Sequence, residues 1–147
     1  MKFPFRIRAF VYPNDYPAVL AIWETAGPGL HVGRSDTPQE IVKKLERDPD
    51  LFLVAEVEGK IIGTVLGGFD GRRGMVYHLG VLPEYHRSGI GRALMQDLEH
   101  RLQAKGCLKC YLVVVEDNEA AHFYEACGWQ VQDLKLFAKE FSSSTSL

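Results

Sequence analysis

Three cysteines, Cys107, Cys110 and Cys127, are all that this sequence of 147 residues contains. So small and odd a number argues against a disulfide framework and fits a chain kept in a reducing cytoplasm. No stretch of 18 successive apolar residues occurs, so no membrane span is expected. The opening MKFPFRIRAF alternates apolar and polar residues and lacks the apolar run of a signal peptide. Neither sign of charge prevails: 17 Lys and Arg face 19 Asp and Glu, a net charge of -2. A dedicated nucleic-acid binder would carry a basic excess. Repeats and linkers are missing too. What is there is 46% hydrophobic residues, enough to fill the core of one domain over 1–147, with 141–147 as a frayed tail.

The first two cysteines form a C-x-x-C, Cys107-Leu108-Lys109-Cys110. A zinc site wants a second ligand pair at matching spacing, and none exists. A thioredoxin-like motif would lie between a strand and a helix start, whereas this one follows a helix and opens a strand. The pair reads as ordinary half-buried thiols, and no metal is expected.

Periodicity orders the chain as β-α-α-β-β-β-α-β-α-β. Phe5, Ile7 and Ala9 alternate with arginines as a first strand. Asn14 or Asp15 can cap a helix whose apolar face is Tyr16, Val19, Leu20 and Trp23, and Gly27-Pro28-Gly29 ends it. Thr37-Pro38-Gln39-Glu40 is a capping box opening a second helix, stopped by Asp48-Pro49-Asp50. Leu51–Val57, Lys60–Phe69 and Gly74–Val81 form an antiparallel meander with turns at Glu58-Gly59 and Asp70-Gly71. A helix runs to about Lys105, with Leu94, Leu98 and Leu102 on its core face. Lys109–Val115 is a strand expected to be buried on both faces. Asn118 caps a short helix to Cys127, and Val131–Ala138 supplies final strand material. The fold class is therefore α/β (α+β), with a mixed, mostly antiparallel sheet and one parallel crossover.

Between the fourth strand and the long helix lies YHRSGIGRAL, Tyr85 to Leu94. Gly89 and Gly91 let backbone amides approach a ligand, and amides at a helix start favour an anion. Arg87 and Arg92 add charge, and Ser88 can cap the helix or donate to a phosphate oxygen. Two better-known phosphate loops fail here. The dinucleotide fingerprint needs a third glycine where Leu94 stands. The P-loop needs Gly-Lys-Ser/Thr, whereas Gly91 is followed by Arg92-Ala93. A tight, glycine-eased start to a helix is the other reading of this stretch.

Two motifs break the tie. VYHLGVLPEYHRSGIGRALM resembles the acetyl-CoA-binding segment of the GNAT family of N-acetyltransferases, a strand ending in V-x-P followed by R/Q-x-x-G-x-G/A, with Val81, Pro83, Gly89 and Gly91 in register. NEAAHFYEACGW resembles the family's N-x-x-A-x-x-Y-E-x-x-G-F through Asn118, Ala121, Tyr124, Glu125 and Gly128. His86 stands where Arg or Gln is usual, and Trp129 where Phe or Tyr is usual.

The resemblance implies a sheet of about six to seven strands with helices on both faces. It implies that the fourth and fifth strands splay near Val81, Gly80 easing a bulge there. Acetyl-CoA would be the co-substrate, its pantetheine arm along Leu79, Gly80, Val81 and Leu82. Its pyrophosphate would rest on the segment Arg87, Ser88, Gly89, Ile90, Gly91, Arg92 and Ala93. Tyr124 would be the general acid, against the reading of a half-buried helix tyrosine. Asn118 would touch the cofactor arm as well as cap its helix. The base is open among Tyr77, His78, Glu24, Glu56 and Glu116. Tyr77 and His78 neighbour each other on a strand, so at most one should face the substrate. Trp23, Glu24 and the 27–34 loop resemble the variable acceptor region. The implied reaction is acetyl transfer to a primary amine, on a protein or a small molecule. A non-catalytic acyl-CoA-binding or regulatory module is the alternative. The resemblance also allows a homodimer.

Overall fold

The structure, a computed structural model, describes residues 4–25, 32–114 and 119–142. Its elements are β1 (Arg6–Ala9), α1 (Tyr16–Thr25), a 3-10 turn (Arg34–Asp36), α2 (Pro38–Arg47), β2 (Phe52–Val57), β3 (Lys60–Phe69), β4 (Gly74–Val81), a second 3-10 turn (Pro83–Tyr85), α3 (Ile90–Ala104), β5 (Cys110–Leu112) and α4 (Ala120–Ala126). The strands make one sheet in the order β1-β2-β3-β4-β5. Neighbours are antiparallel as far as β4, and β4 and β5 are parallel, as the crossover through α3 requires.

Alternation along β2 divides the core. Leu51, Leu53, Ala55 and Val57 pack with Leu94, Leu98 and Leu102 of α3 on one face. Phe52 and Val54 pack with Val19, Ile22 and Trp23 of α1 and Ile41 of α2 on the other. On the first face α3 presses close to β3. A Cβ at Gly67 would lie 2.5 Å from Leu98 Cδ1, so the Leu98 side chain packs into the space that glycine leaves.

The helix ends follow their local chemistry. Thr37 Oγ1 accepts the Glu40 amide at 3.5 Å, while the Glu40 carboxylate meets Lys43 Nζ at 2.8 Å rather than reaching back to the cap. Asp48 ends α2 and pairs with Lys44 Nζ at 2.7 Å. Arg8 of β1 grips Asp15, just before α1, at 2.6 Å, and the Val11 amide donates to the same carboxylate at 2.8 Å. Burial pushes the Asp15 carboxyl up, but Arg8 and the Val11 amide outweigh it and hold the carboxyl below its ordinary range.

Three expectations change. The described sheet has five strands rather than six or seven, because Val131–Ala138 forms none. Its alternation fails at Asp133-Leu134: Val131 and Asp133 share one parity, Leu134 and Leu136 the other, so neither face is apolar throughout. Val131, Leu134 and Phe137 are accordingly 77%, 76% and 88% exposed. β5 is shorter than Lys109–Val115 and only half-buried, because no described strand covers its outer edge. Finally, α4 opens at Ala120 with Glu119 at its cap position, while Val115, Glu116 and Asn118 lie outside the described residues.

Candidate active site

Pairing between β4 and β5 covers only Gly74–Val76 against Cys110–Leu112. Among the described residues Tyr77–Val81 therefore has no β5 partner, and the described pairing of the two strands ends at Val76. On its other edge β4 stays paired, Gly80 with Thr64 and Val81 with Gly63. The bulge is also displaced from its expected place. Two residues of β4, His78 and Leu79, oppose the single Val65 of β3. The strain falls on His78, at φ 47°, and not on Gly80, which keeps regular pairing.

The inserted residue corrects the assignment of faces. Tyr77 pairs with Leu66, and its ring approaches the point where a Gly68 side chain would start, beside Lys44 of α2. His78 reaches Asp36 and Trp23 on that same side. Val76 and Leu79 belong to the α3 side. Tyr77 and His78 thus share one face, because a bulge resets the two-residue period.

Trp23 is buried beneath this face, its ring 6.0 Å from Phe52 and 5.0 Å from the His78 imidazole. Glu24 follows it, exposed at the end of α1, and most of the 27–34 loop lies outside the described residues. Glu56 is engaged by Arg8 at 3.3 Å.

At the end of β4 the Leu82 amide donates to the Ile62 carbonyl at 2.9 Å, and Pro83–Tyr85 turns the chain. His86 Nε2–H donates to the Val81 carbonyl at 2.7 Å, so this ring pins the loop to the strand it has just left. Arg87 takes φ 61° and Gly89 φ 86°. The buried Ser88 hydroxyl donates to the Tyr85 carbonyl, so it neither caps α3 nor faces outward. Gly89 occupies the cap position without a side chain, and the Ala93 amide makes the first helical bond to its carbonyl at 3.0 Å. Among the described residues no acceptor meets the backbone amides from Arg87 to Arg92. They gather at the positive end of a helix of 15 residues.

The Arg92 side chain turns away from this cluster and donates to the Ala126 carbonyl at 3.0 Å, holding the end of α4. Phe123 sits against Gly91, its Cζ 3.3 Å from where a Cβ would stand. Trp129 completes the join, its indole N–H donating to Glu99 Oε2 at 3.1 Å and its amide to the Tyr124 carbonyl at 3.0 Å. Tyr124 is partly buried against the α3-side core. Burial, with Cys127 nearby, pushes its phenol up to about 12, so it keeps its proton at neutral pH.

Burial first, then Cys107, pushes the Cys110 thiol up to about 11, away from the thiolate that zinc or redox chemistry needs. A cavity of 410 Å³ lies between α1 and the β2–β3 turn, lined by Arg8, Asp15, Ala18 and Leu82 among others. Its Arg8 and Asp15 already pair with each other, and neither Tyr124 nor the glycine loop lines it.

Two site residues carry little sequence signal. Asp36 looks like one more polar residue before the Thr37 cap, and Phe123 like ordinary helix filling. Only the first hint, an acid beside a helix start, was open to inspection.

Comparison with known proteins bears on the family and the fold. The model of the acetyltransferase (GNAT) family matches residues 17–129. An acetyltransferase of Pectobacterium atrosepticum is 46% identical over 127 residues, which covers 86% of this chain and 89% of that one. Among solved structures, glucosamine-6-phosphate N-acetyltransferase from Arabidopsis thaliana superposes with a TM-score of 0.73 at 22% identity, over 95% of this chain and 99% of that one. AAC(6')-Iy in complex with a CoA-based bisubstrate analogue gives 0.73 at 16% identity, over 95% and 99%. At such identities these two structures share the fold.

Proposed function

Since the chain belongs to the acetyltransferase (GNAT) family, we propose that it transfers an acetyl group from acetyl-CoA to a primary amine by direct attack. The carrying observation is the row of amides from Arg87 to Arg92, which meet no acceptor among the described residues and lie beyond the point where the described pairing of β4 with β5 ends. A pyrophosphate supplies the acceptors that those amides lack, and the helix dipole favours its charge. Gly89, in the left-handed region, turns the loop so that the amides converge. The edge of β4 from Tyr77 to Val81, without a β5 partner among the described residues, suits the amide groups of a pantetheine arm, which would lie on it as a further strand.

In this reading a β4 amide near Leu79–Val81 polarises the thioester carbonyl and stabilises the oxyanion that forms on attack. Tyr124 gives its proton to the departing thiolate, for which it must be protonated, as burial ensures. Arg92 acts by tying α4 to the loop rather than by touching phosphate. His86 serves through its bond to Val81. The acceptor is a protein amine or a small molecule; the two structural relatives named above carry acceptors too different for either to be transferred. A cytoplasmic location and a single domain belong to the same proposal. Among the described residues no helix is long and apolar enough to cross a membrane.

Calorimetric titration with acetyl-CoA, followed by free-CoA release against a panel of alkylamines, amino sugars and peptides, tests the reading. Binding with turnover on one class supports it. Binding without turnover points to the regulatory module, and a folded protein that does not bind acetyl-CoA overturns the reading.

A further inference from the structure

We propose that His78 and Asp36 form the dyad that removes the proton from the acceptor amine, with His78 Nδ1 as the base and Asp36 as its positioning residue. The inference rests on the acetyl-transfer reading above.

His78 is held from several sides. Its Nε2 lies 3.1 Å and 3.2 Å from the two carboxylate oxygens of Asp36. Trp23 packs against the ring at 5.0 Å. Asp36 is only 6% exposed and is fixed in turn: the Gly33 amide donates to its Oδ2 at 2.9 Å, and the Tyr16 hydroxyl donates to its carbonyl at 2.8 Å. A non-glycine residue at positive φ persists only where its surroundings over-determine it, and such strain gathers at functional sites.

The pairing decides the tautomer. An ionised carboxylate only accepts, so Nε2 carries the hydrogen and Nδ1 carries the lone pair. Nδ1 has no hydrogen-bond partner among the described residues. The competing groups on this face are poorer bases. Burial pushes the Tyr77 phenol up, which keeps it protonated. Glu24 on α1 is exposed, Lys44 of α2 is bound to Asp48, and Leu66 of β3 is apolar. His78 also lies within Tyr77–Val81, the stretch of β4 that has no β5 partner among the described residues.

The step balances. The amine lone pair forms the C–N bond to the thioester carbon, and the C–S bond breaks as the oxyanion collapses. The nitrogen's extra proton passes to Nδ1, and the Tyr124 hydroxyl proton goes to sulfur. His78 then releases its proton to solvent and Tyr124 regains one, leaving the amide and free CoA thiol. Asp36 stabilises the imidazolium in between.

Two measurements test the dyad. In the first, nitrogen NMR of the free protein reads which nitrogen of the neutral His78 ring carries the hydrogen: it should be Nε2 in the wild type, and Asp36→Asn, whose side chain can also donate, should weaken that preference. In the second, kcat and KM are measured with the amine that gives the fastest release of CoA in the panel. His78→Gln, which can still bond to Asp36, should lower kcat by roughly 100-fold while acetyl-CoA affinity stays within twofold. A neutral wild-type ring with its hydrogen on Nδ1, or wild-type kcat in His78→Gln, overturns the dyad and leaves acetyl transfer standing. A wild-type protein that binds acetyl-CoA but acetylates nothing in the panel overturns the acetyl-transfer reading and the base role together.

Discussion

β2 and β5 belong to one sheet but live in different surroundings. From Leu51 to Ala55 every side chain is fully buried, with strands on both edges and helices on both faces. Along β5 no residue is fully buried, and Val113 just beyond it is 57% exposed. The candidate site straddles this divide. The bulge, His78, Asp36 and the loop amides are anchored to the packed half. Tyr124 rides on α4, joined to α3 through Arg92, Phe123 and Trp129. Stability should therefore reside mostly in the first half, while the proposed turnover would draw on both.

The contrast can be broken first at its strongest point. Phe52 stacks on Phe10 at 4.1 Å and lies under Trp23. Phe52→Ala should cost about 3–5 kcal/mol in denaturant unfolding, the usual range for a buried aromatic. Tyr124→Phe should leave the unfolding midpoint at pH 7 nearly unchanged, yet lower kcat by roughly 100-fold with acetyl-CoA affinity intact. Wild-type turnover in that variant would remove Tyr124 from the mechanism.

A smaller effect concerns alkaline pH. The Tyr124 phenol is raised to about 12 in the folded protein, against an ordinary value near 10. Above pH 10 the unfolded chain loses this proton while the folded one keeps it, so stability declines as pH rises toward 12. The contribution at stake is on the order of 2 kcal/mol, and Tyr124→Phe should remove that part of the decline. Gly67→Ala should cost about 1–3 kcal/mol, because its Cβ would collide with the buried Leu98 side chain, which would have to shift. At the other extreme, Phe137→Ala, on a side chain 88% exposed, should shift stability by less than about 0.5 kcal/mol. A loss there as large as that at Phe52 would mean that the two halves are equally packed.

Much of this molecule is legible residue by residue. The Thr37 cap, the Glu58-Gly59 turn, the Leu94-Leu98-Leu102 face and the glycine start of α3 are local matters, read from neighbours in the chain. The glycine loop was also recognisable as a place for free amides, since helix geometry alone leaves them unpaired. Side-chain destinations were less legible. Arg92 looks like a phosphate ligand in sequence, but its partner is a carbonyl at Ala126. His86 looks like a substitute for a longer donor, but its partner is Val81.

The sequence by itself determined the order of the elements as far as α4, the parallel crossover around α3 and the family motifs, because capping, turn chemistry and apolar period act over a few residues. Only the tertiary structure decided which face His78 takes and who stands beside it. The bulge arises from a mismatch between β4 and β3, which no single strand reveals, and Asp36 lies 42 residues away along the chain. The same holds for β5. Its run of apolar residues is apolar either way, and only the number of strands around it decides whether those residues are covered.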